Sequence, residues 1–463
     1  MRLYNTLSSR LEKIESAEIR IYVCGITPYD HSHVGHARSA VVFDTLRRYL
    51  EYKGLKVKFV QNFTDVDDKI VKRAVSEGKS FKEIAEKYIM EYFEDVEKLN
   101  IKKADAYPKV TEHIKEIIEF VERLIEKGHA YVVDGDVYFS VPSFEKYGEL
   151  SKQSLDELNK HRIEPDPRKR DVKDFALWKA AKDDDFKANA VFDSPWGKGR
   201  PGWHIECSVL SSLHLGVPFD IHGGGKDLIF PHHENERAQS YSLFNVEPVK
   251  IWVHNDFVTV KGEKMSKSLG NIVRIRDVLE KFEGEVLRYF LISAHYRSPL
   301  DYSEDALETS KKAYEKLKNT LINLDMEIAY LKTFKEDRKN SLNLEDFVKS
   351  FEDAMENDLN TPKALAALHE AASLINASLY STKLEDLEIA FEKFKTMCSI
   401  LGIFEKYVRI PVLNNELAEK ILMRENARAK KNYELADKIR KEFLTIGLKL
   451  IDTKHGTRWC HVS

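Results

Sequence analysis

The sequence predicts an α/β protein in which a domain built on a parallel sheet, carrying an insertion, precedes an α-helical bundle and a small C-terminal domain. Three observations predict this fold class. A strand–helix–strand pattern opens the chain, a hairpin pattern interrupts it, and helical periodicity dominates the second half. At 463 residues the chain exceeds what one hydrophobic core usually serves, so several domains are expected.

The opening pattern is that of a β-α-β unit. Residues 20–24 form a short β-rich run, a helix is predicted over 34–52, and a second apolar run follows. Such units join parallel strands through a right-handed crossover. The strand pattern returns near 220–222 and 250–253. We therefore predict one sheet-based domain over residues 1–302.

A hairpin pattern divides this domain. Asp134 and Gly135 stand between two apolar runs within residues 131–139, and an Asp-Gly pair favours the tight turn of a two-residue hairpin. We therefore predict that residues from about 120 to 195 form an insertion between the two halves of the sheet-based domain.

The second half of the chain is predicted to be helical. Helices are expected over 305–335, 344–356 and 361–380. The last of them is predicted to start with Thr361 as N-cap and Pro362 as its first residue. Together they predict a bundle over residues 303–410. Residues 411–463 hold more lysine and arginine than aspartate and glutamate, so a small basic domain is expected to follow.

Composition limits the classes of function. The formal net charge is −3, so a nucleic-acid partner would have to meet a local basic surface. No apolar run approaches the ~18 residues of a membrane span, and the N-terminus lacks a signal-peptide pattern. We expect a cytoplasmic protein without membrane contact. The four cysteines lie far apart in the chain, which suits a reducing compartment better than a disulfide framework.

His33, Gly35 and His36 form a H-x-G-H motif at the predicted start of the first helix. A helix N-terminus offers unpaired N–H groups and partial positive charge, glycine lets a ligand approach the backbone, and imidazoles can donate to phosphate oxygens. The motif therefore suits a polyphosphate. A purely structural role for two histidines at a helix start is the alternative, and the motif by itself leaves it open.

A glycine-flanked loop over residues 262–271 is the second candidate. It contains the sequence K-M-S-K-S, which begins at Lys264 and places its second lysine at Lys267. Two lysines and two hydroxyls can contact a triphosphate and stabilise the charge that develops in nucleotidyl transfer. The alternative is a solvated charged loop.

Cys24, Cys207, His232 and Glu236 are candidate metal ligands. Cys24 ends the first predicted strand, and His232 and Glu236 are spaced i, i+4, which places them on one helix face. Two thiolates, one imidazole and one carboxylate are a donor set that suits zinc. The alternative is two unrelated buried cysteines and a polar helix.

The two nucleotide motifs together resemble the paired signatures of class I aminoacyl-tRNA synthetases. The stretches that resemble the cysteinyl-tRNA synthetase family in particular are 22–30, 199–207, 220–228, 230–236, 287–291, 295–300 and 357–362. The chain departs from the family pattern at Ile26 and Pro28, where the family usually has proline and valine. The shape of the loop after Cys24 is therefore left open.

This resemblance implies a Rossmann-type catalytic domain, a helical-bundle anticodon-binding domain and a small anticodon-reading domain. It implies activation of L-cysteine with ATP and Mg²⁺, transfer to tRNA(Cys), and one Zn²⁺ per chain that recognises the substrate thiol; we expect a monomer. The residues implied are His33, His36, Lys264 and Lys267 for catalysis; Thr27, His33, Gly35, His36, Asp227 and Lys267 for ATP; Cys24, Thr27 and Trp203 for substrate; Cys24, Cys207, His232 and Glu236 for metal; and Arg428, Asp437, Asp452 and Trp459 for the anticodon.

Two other functions fit part of the sequence. A cysteine ligase of the mycothiol pathway resembles the same catalytic domain and makes the same adenylate, but it has no need of anticodon-reading domains. A non-enzymatic zinc protein that binds RNA would keep metal ligands, but it would have no reason to carry the two nucleotide motifs. An assay of cysteine-dependent pyrophosphate exchange followed by tRNA charging separates the three functions.

Overall fold

A computed structural model describes residues 1–153, 166–265 and 269–462. The chain forms two compact units. Unit 1 comprises Met1–Ser303 together with Glu356–Leu359, and unit 2 comprises Glu304–Met355 with Asn360–Ser463. The predicted boundary at residue 411 falls inside unit 2 and stays a prediction.

Unit 1 is a mixture of strands and helices. Its strands are β1 (Arg2–Asn5), β2 (Arg10–Lys13), β3 (Glu18–Val23), β4 (Lys56–Gln61), β5 (Ala130–Val133), β6 (Asp136–Phe139), β7 (Phe175–Ala180), β8 (Gly199–Pro201), β9 (Phe219–Gly225), β10 (Val249–Asn255), β11 (Val258–Val260), β12 (Glu263–Lys264) and β13 (Leu300–Tyr302). Its helices are α1 (Val34–Tyr52), α2 (Asp68–Glu77), α3 (Phe81–Lys98), α4 (Ile114–Glu126), α5 (Asp183–Lys187), α6 (Trp203–Leu215), α7 (Glu234–Phe244), α8 (Ile275–Leu279) and α9 (Gly284–Ile292).

A four-stranded parallel sheet with the order β10-β9-β3-β4 forms the centre of unit 1. Its register places Ile21 opposite both Phe59 and Ile221. All three are buried, as expected for a parallel sheet with both faces covered. The predicted parallel α/β architecture is confirmed. A hairpin of β1 and β2 precedes it, which the sequence analysis missed because each strand has only four residues.

Helix α1 crosses between β3 and β4 and has the predicted bounds. It is anchored by a buried charge cluster in which Asp44 accepts from Arg288 at 2.5 Å and from Arg48 at 2.7 Å. Burial would raise the pKa of Asp44, but the two guanidinium groups lower it. A buried carboxylate paired in this way fixes the helix against α9, because breaking such a pair leaves an uncompensated charge.

An antiparallel sheet with the order β5-β6-β7-β8 lies within the chain between α4 and α6. Its first hairpin turns at Asp134 and Gly135, whose φ angles are 50° and 86°. Positive φ at both positions is what a two-residue turn of this kind requires. The hairpin prediction is confirmed, and this sheet overlaps the predicted insertion at 120–195.

The segment Glu356–Leu359 belongs to unit 1, although both flanking helices belong to unit 2. Asp358 explains this placement. Its carboxylate accepts hydrogen bonds from the Tyr4 backbone N–H at 2.8 Å, the Tyr296 hydroxyl at 2.6 Å and the Arg297 guanidinium at 2.7 Å. Its backbone N–H donates to the carbonyl of Arg2. These contacts hold Asp358 at a left-handed φ of 63°.

Unit 2 is mostly helical. Its elements are α10 (Glu304–Phe334), α11 (Glu345–Glu356), α12 (Thr361–Ser378), α13 (Leu384–Ile400), α14 (Asn415–Ala429), α15 (Tyr433–Thr445), β14 (Leu448–Thr453) and β15 (Gly456–His461). The predicted N-cap of α12 is wrong by one residue, since Asn360 and not Thr361 caps it by accepting from the Lys363 backbone N–H at 3.2 Å. Among the described residues, no helix combines the length and apolar character needed to cross a bilayer.

Candidate active site and metal centre

His33 and His36 cap the start of α1 with their side chains. The His33 imidazole accepts from the Gly35 backbone N–H at 3.1 Å, and the His36 imidazole accepts from the His33 backbone N–H at 3.3 Å. Both rings use Nδ1 for these bonds and stack with centroids 3.7 Å apart. A neutral imidazole that accepts at Nδ1 carries its proton on Nε2. The capping arrangement therefore leaves each ring with an Nε2–H donor.

The charge state of His36 follows from its surroundings. Burial, together with the charges of His33 and Lys69, lowers the pKa of the His36 imidazole well below its usual range. The ring is neutral near pH 7, so it can offer a hydrogen bond but no full positive charge. Gly35 is also constrained, because an added Cβ would lie 3.0 Å from the His33 ring and 3.5 Å from the Met265 methyl.

Three other predicted nucleotide residues lie at or just after the ends of strands. Thr27 follows β3 in a half-buried loop, and Asp227 follows β9. Lys264, at the end of β12, approaches Asp227 at 3.7 Å and lies 3.9 Å from the centre of the Phe257 ring. Lys267 lies outside the described residues.

The four predicted metal ligands lie close together. One donor atom from each of Cys24, Cys207, His232 and Glu236 can be chosen so that all four lie within 4.8 Å of one another. The two sulfur atoms are 3.7 Å apart, and His232 Nε2 is 2.9 Å from Glu236 Oε1. Two thiolates on one tetrahedral zinc with bonds of ~2.3 Å would be separated by ~3.8 Å. The spacing therefore fits a metal ion.

The electrostatics of this quartet also fit a cation. Burial and the neighbouring Cys207 raise the pKa of the Cys24 thiol well above its usual range. Burial would likewise raise the pKa of Cys207, but the hydrogen bond from Cys24 and the charge of His232 lower it to about 6. Burial would raise the pKa of Glu236, yet two histidines lower it to about 2. Two buried thiols this close can both ionise only if a cation compensates them.

Further histidines surround the quartet, and the sequence analysis did not select them. His222 donates from Nε2 to Glu236 at 2.8 Å, and His233 Nε2 lies 3.2 Å from Cys24 Sγ. His233 in turn meets His254 at 2.7 Å. Cys24, His222, His233 and Glu236 form a second set of compact donors. Ligands of a metal are usually oriented by such partners, and the position of His233 next to His232 was the signal available in sequence.

Trp203 starts α6 beside the quartet. Its ring stacks on His232 with centroids 4.3 Å apart and an interplanar angle of 26°, and 37% of the residue remains exposed. An indole that is partly open and partly packed on a ligand residue can cover one side of a small substrate while limiting the position of the imidazole.

Two of the four predicted anticodon residues line a cavity of about 360 Å³ in unit 2. Arg428 and Asp452 form an ion pair on its wall, and Asp452 also accepts from Arg424 at 2.6 and 2.9 Å. Asp437 is exposed on α15. The aromatic residue that lines this cavity is Tyr433, which is 62% exposed and which the sequence analysis missed.

Trp459 is placed differently from its predicted role. The residue is fully buried, and its indole N–H donates to the carbonyl of Pro411 at 2.8 Å. It belongs to a core cluster with Met326 of α10 and Phe443 of α15. The ring is therefore not presented to a base. A tryptophan on a short hairpin, between an arginine and a cysteine, gives no sequence signal of which face is covered.

Replacing Trp459 by alanine is expected to lower the free energy of unfolding of unit 2 by about 3–5 kcal/mol, because it removes a large side chain from a closed core. Chemical denaturation followed by circular dichroism would measure the loss. Tyr433→Ala is the matched control, since an exposed ring should change stability by less than about 0.5 kcal/mol. Equal stability of the two variants would contradict the assignment of Trp459 to the core.

Comparisons with known proteins show which family the chain belongs to. Residues 10–312 match the family model described as tRNA synthetases class I (C) catalytic domain, and residues 350–405 match the DALR domain. The chain is 68% identical over 465 residues to a cysteine–tRNA ligase of Archaeoglobus fulgidus, covering 99% of each chain. It is 47% identical over 475 residues to a cysteine–tRNA ligase of Thermococcus gammatolerans, covering 99% of this chain and 98% of that one.

The fold is also found in a solved structure of Mycobacterium tuberculosis methionyl-tRNA synthetase in complex with methionyl-adenylate, with a TM-score of 0.59 at 18% identity over 83% of this chain and 89% of that one. At this identity the likeness shows the fold alone. The catalytic-domain model covers more than half of the chain, and the two relatives cover nearly all of it. The chain therefore belongs to the cysteine–tRNA ligase family of the class I tRNA synthetases.

Proposed function

We propose that the protein activates L-cysteine with ATP and transfers it to the 3′-terminal adenosine of tRNA(Cys). The observation that carries this proposal is the position of Cys24. It follows β3 directly, nine residues before the H-x-G-H motif at the start of α1, so thiol-binding donors and a phosphate-binding helix start share one end of the sheet. Ligands of open parallel sheets bind at that carboxyl end.

In the first step the cysteine carboxylate attacks the α-phosphorus of ATP. A bond forms between a carboxylate oxygen and phosphorus, the bond from phosphorus to the bridging oxygen breaks, and pyrophosphate leaves. The nucleophile is already ionised at neutral pH, so the protein supplies position and charge stabilisation and no general base is needed. Nε2–H of His33 and His36 donates to phosphate oxygens, and Lys264 and Lys267 offset their charge.

The thiol of the substrate is recognised at the quartet of Cys24, Cys207, His232 and Glu236. Bound there, zinc would supply a site that binds a thiolate strongly and an alcohol poorly. The protein itself contributes the burial of the quartet and the hydrogen bond from His222 that fixes Glu236. Trp203 covers one side of the substrate.

In the second step a terminal ribose hydroxyl of tRNA attacks the carbonyl carbon of the adenylate, and AMP leaves. The anticodon is read in unit 2, where Arg428 and Asp452 line the cavity and Tyr433 offers an exposed ring on which an unstacked base can stack. Asp437 joins them from the exposed face of α15. Trp459 supports this region from the core.

The remaining assignments complete the proposal. Thr27 contacts a phosphate or the amino acid, Asp227 binds the ribose of ATP, and Mg²⁺ accompanies the triphosphate. The protein works as a monomer in the cytoplasm. Cysteine-dependent exchange without charging of tRNA would instead favour a ligase that passes cysteine to an amino sugar.

Replacing His36 by alanine should slow cysteine-dependent pyrophosphate exchange about 100-fold, since loss of one preorganised donor to the transition state has an effect of this size. Exchange of labelled pyrophosphate into ATP measures it, with metal content checked on the same sample. His369→Ala, on α12 of unit 2, serves as the control and should exchange like wild type. Wild-type exchange by the His36 variant would reject the phosphate role of the motif.

A further inference from the structure

We propose that Glu91 of α3 is a positioning residue of the nucleotide site, where it holds the two strands of a short antiparallel bridge, on which His33 lies, together at one end. This inference rests on the proposed function, because it concerns how the ATP-binding motif is held in place. Glu91 lies outside the motifs that the sequence analysis singled out.

The bridge joins the chain before α1 to the chain before α8. His33 is paired with Arg274 in antiparallel orientation. The Val34 backbone N–H donates to the carbonyl of Val273 at 3.0 Å, and the Ile275 backbone N–H donates to the carbonyl of Ser32 at 3.0 Å. The start of the H-x-G-H motif is therefore attached to the segment that leads away from the lysine loop.

Two backbone hydrogen bonds are a short ladder, and a pair of strands this small is not stable by itself. Support from side chains at an end of the bridge therefore matters. In the register that pairs His33 with Arg274, the residues just beyond one end are His31 and Arg276, on opposite strands.

Glu91 contacts both of these residues. His31 donates from Nδ1 to Glu91 Oε2 at 2.6 Å, and an Arg276 guanidinium nitrogen lies 3.8 Å from the same oxygen. Arg276 also donates to the backbone carbonyl of Glu91 at 3.4 Å. The Glu91 side chain is only 17% exposed, so these interactions are less screened by solvent than a surface ion pair.

The rest of this face of α3 supports the same two residues. Tyr88 meets the His31 ring edge-on with centroids 5.5 Å apart. Glu94 pairs with Arg276 at 2.9 Å, and the buried Asp95 approaches the Arg276 Nε at 3.2 Å. Glu94 and Asp95 contact Arg276, whereas Glu91 contacts Arg276 and His31 together. It therefore ties the two strands to each other and to one rigid helix.

Loss of the Glu91 contacts should weaken ATP binding and leave cysteine recognition intact. His33 and His36 must place their Nε2–H groups on phosphate oxygens, and small displacements of such groups are costly. In the metal quartet, Cys24 follows β3 and Cys207 lies on α6, while His232 precedes α7 and Glu236 lies in it. None of these residues belongs to the bridge. A defect confined to ATP binding would identify Glu91 as a positioning residue of the nucleotide site. A general loss of structure would instead impair the use of ATP and of cysteine alike.

The test is Glu91→Ala, with the full-length protein studied by calorimetric ATP binding and by pyrophosphate exchange. We expect ATP affinity and kcat/KM for ATP to fall about 10-fold or more, since misplacement by a fraction of an ångström is sufficient for that. KM for cysteine should stay within about 2-fold of the wild-type value. Glu91→Gln, whose amide oxygen can still accept from His31, should recover part of the loss.

Glu94→Ala is the matched control. It removes an ion pair to Arg276 from the same helix, but the Glu94 side chain is 65% exposed and it does not join the two strands; it should behave as wild type. Equal effects of Glu91→Ala and Glu94→Ala, or a uniform fall in kcat with both KM values unchanged, would overturn the inference. If wild type binds ATP without cysteine-dependent exchange, the proposed function fails, while the ATP affinities of the variants still test the role of Glu91.

Discussion

Replacing Cys207 by serine is expected to lower kcat/KM for cysteine by more than about 100-fold, because Cys207 is a proposed metal ligand. Even residues that only hydrogen-bond to a metal ligand account for about 10- to 100-fold in metal affinity or activity. The effect should lie in KM for cysteine, while ATP affinity stays near that of wild type. Without the metal the pocket must separate a thiol from an isosteric hydroxyl by shape, which is worth only about 1–3 kcal/mol. Selectivity for cysteine over serine should therefore fall together with kcat/KM for cysteine. Pyrophosphate exchange with each of the two amino acids would measure it.

Two controls separate recognition from folding. Cys460→Ser alters a half-buried cysteine of unit 2 that lies far from the quartet in sequence, and it should keep zinc content and selectivity. Dialysis of wild type against a chelator should reproduce the Cys207→Ser defect, and added zinc should reverse it. If folded, zinc-free protein still prefers cysteine over serine as strongly as wild type, the proposed recognition of the thiol by zinc is rejected.

The second large effect is expected in unit 2. Replacing Arg428 and Tyr433 together by alanine should reduce kcat/KM for charging of tRNA(Cys) by about 100- to 1,000-fold, since each stacking or bidentate contact to a base is worth about 1–3 kcal/mol. Pyrophosphate exchange should remain near the wild-type rate, because the residues proposed to bind ATP and cysteine lie in unit 1. Aminoacylation of a tRNA transcript and exchange on the same preparation measure the two activities.

Point substitutions are a better test of this region than removal of residues after 410. Residues beyond that point share a core with Met326 and Ala329 of α10, so truncation would expose apolar surface of the helix that remains. Lys438→Ala, on the exposed side of α15, is the matched control for lost charge. Charging by the Arg428/Tyr433 variant at the control's rate would reject this cavity as the anticodon site.

The sequence was most informative where local chemistry decides structure. The bounds of α1 follow from a long helical pattern that starts at a capping motif, and the Asp134–Gly135 turn follows from the positive φ angles that only a few residues adopt easily. The strands β1 and β2 were missed because four residues carry too little periodicity to be distinguished from a loop.

The prediction of long-range features depended on the resemblance to a known family. Cys24 and Cys207 are separated by 183 positions, and no local pattern shows that their sulfur atoms approach each other. The histidines around the quartet, and the contact of Glu91 with both His31 and Arg276, arise from the way separate elements pack. Trp459 was predicted among the anticodon residues, and the sequence did not show that its ring would be buried, because the covered face of its hairpin depends on a helix more than 100 positions earlier.

Asp358 has a practical consequence for dissecting the chain into fragments. A fragment ending at residue 303 would lack the carboxylate that accepts from Tyr4, Tyr296 and Arg297. The Tyr296 hydroxyl would lose its bond in a buried setting, and Arg297 would lose its ion pair, which costs more than the same bonds contributed. A minimal catalytic fragment should therefore be cut after Leu359, or the helices between residues 303 and 356 should be replaced by a linker that still delivers Asp358 to its partners.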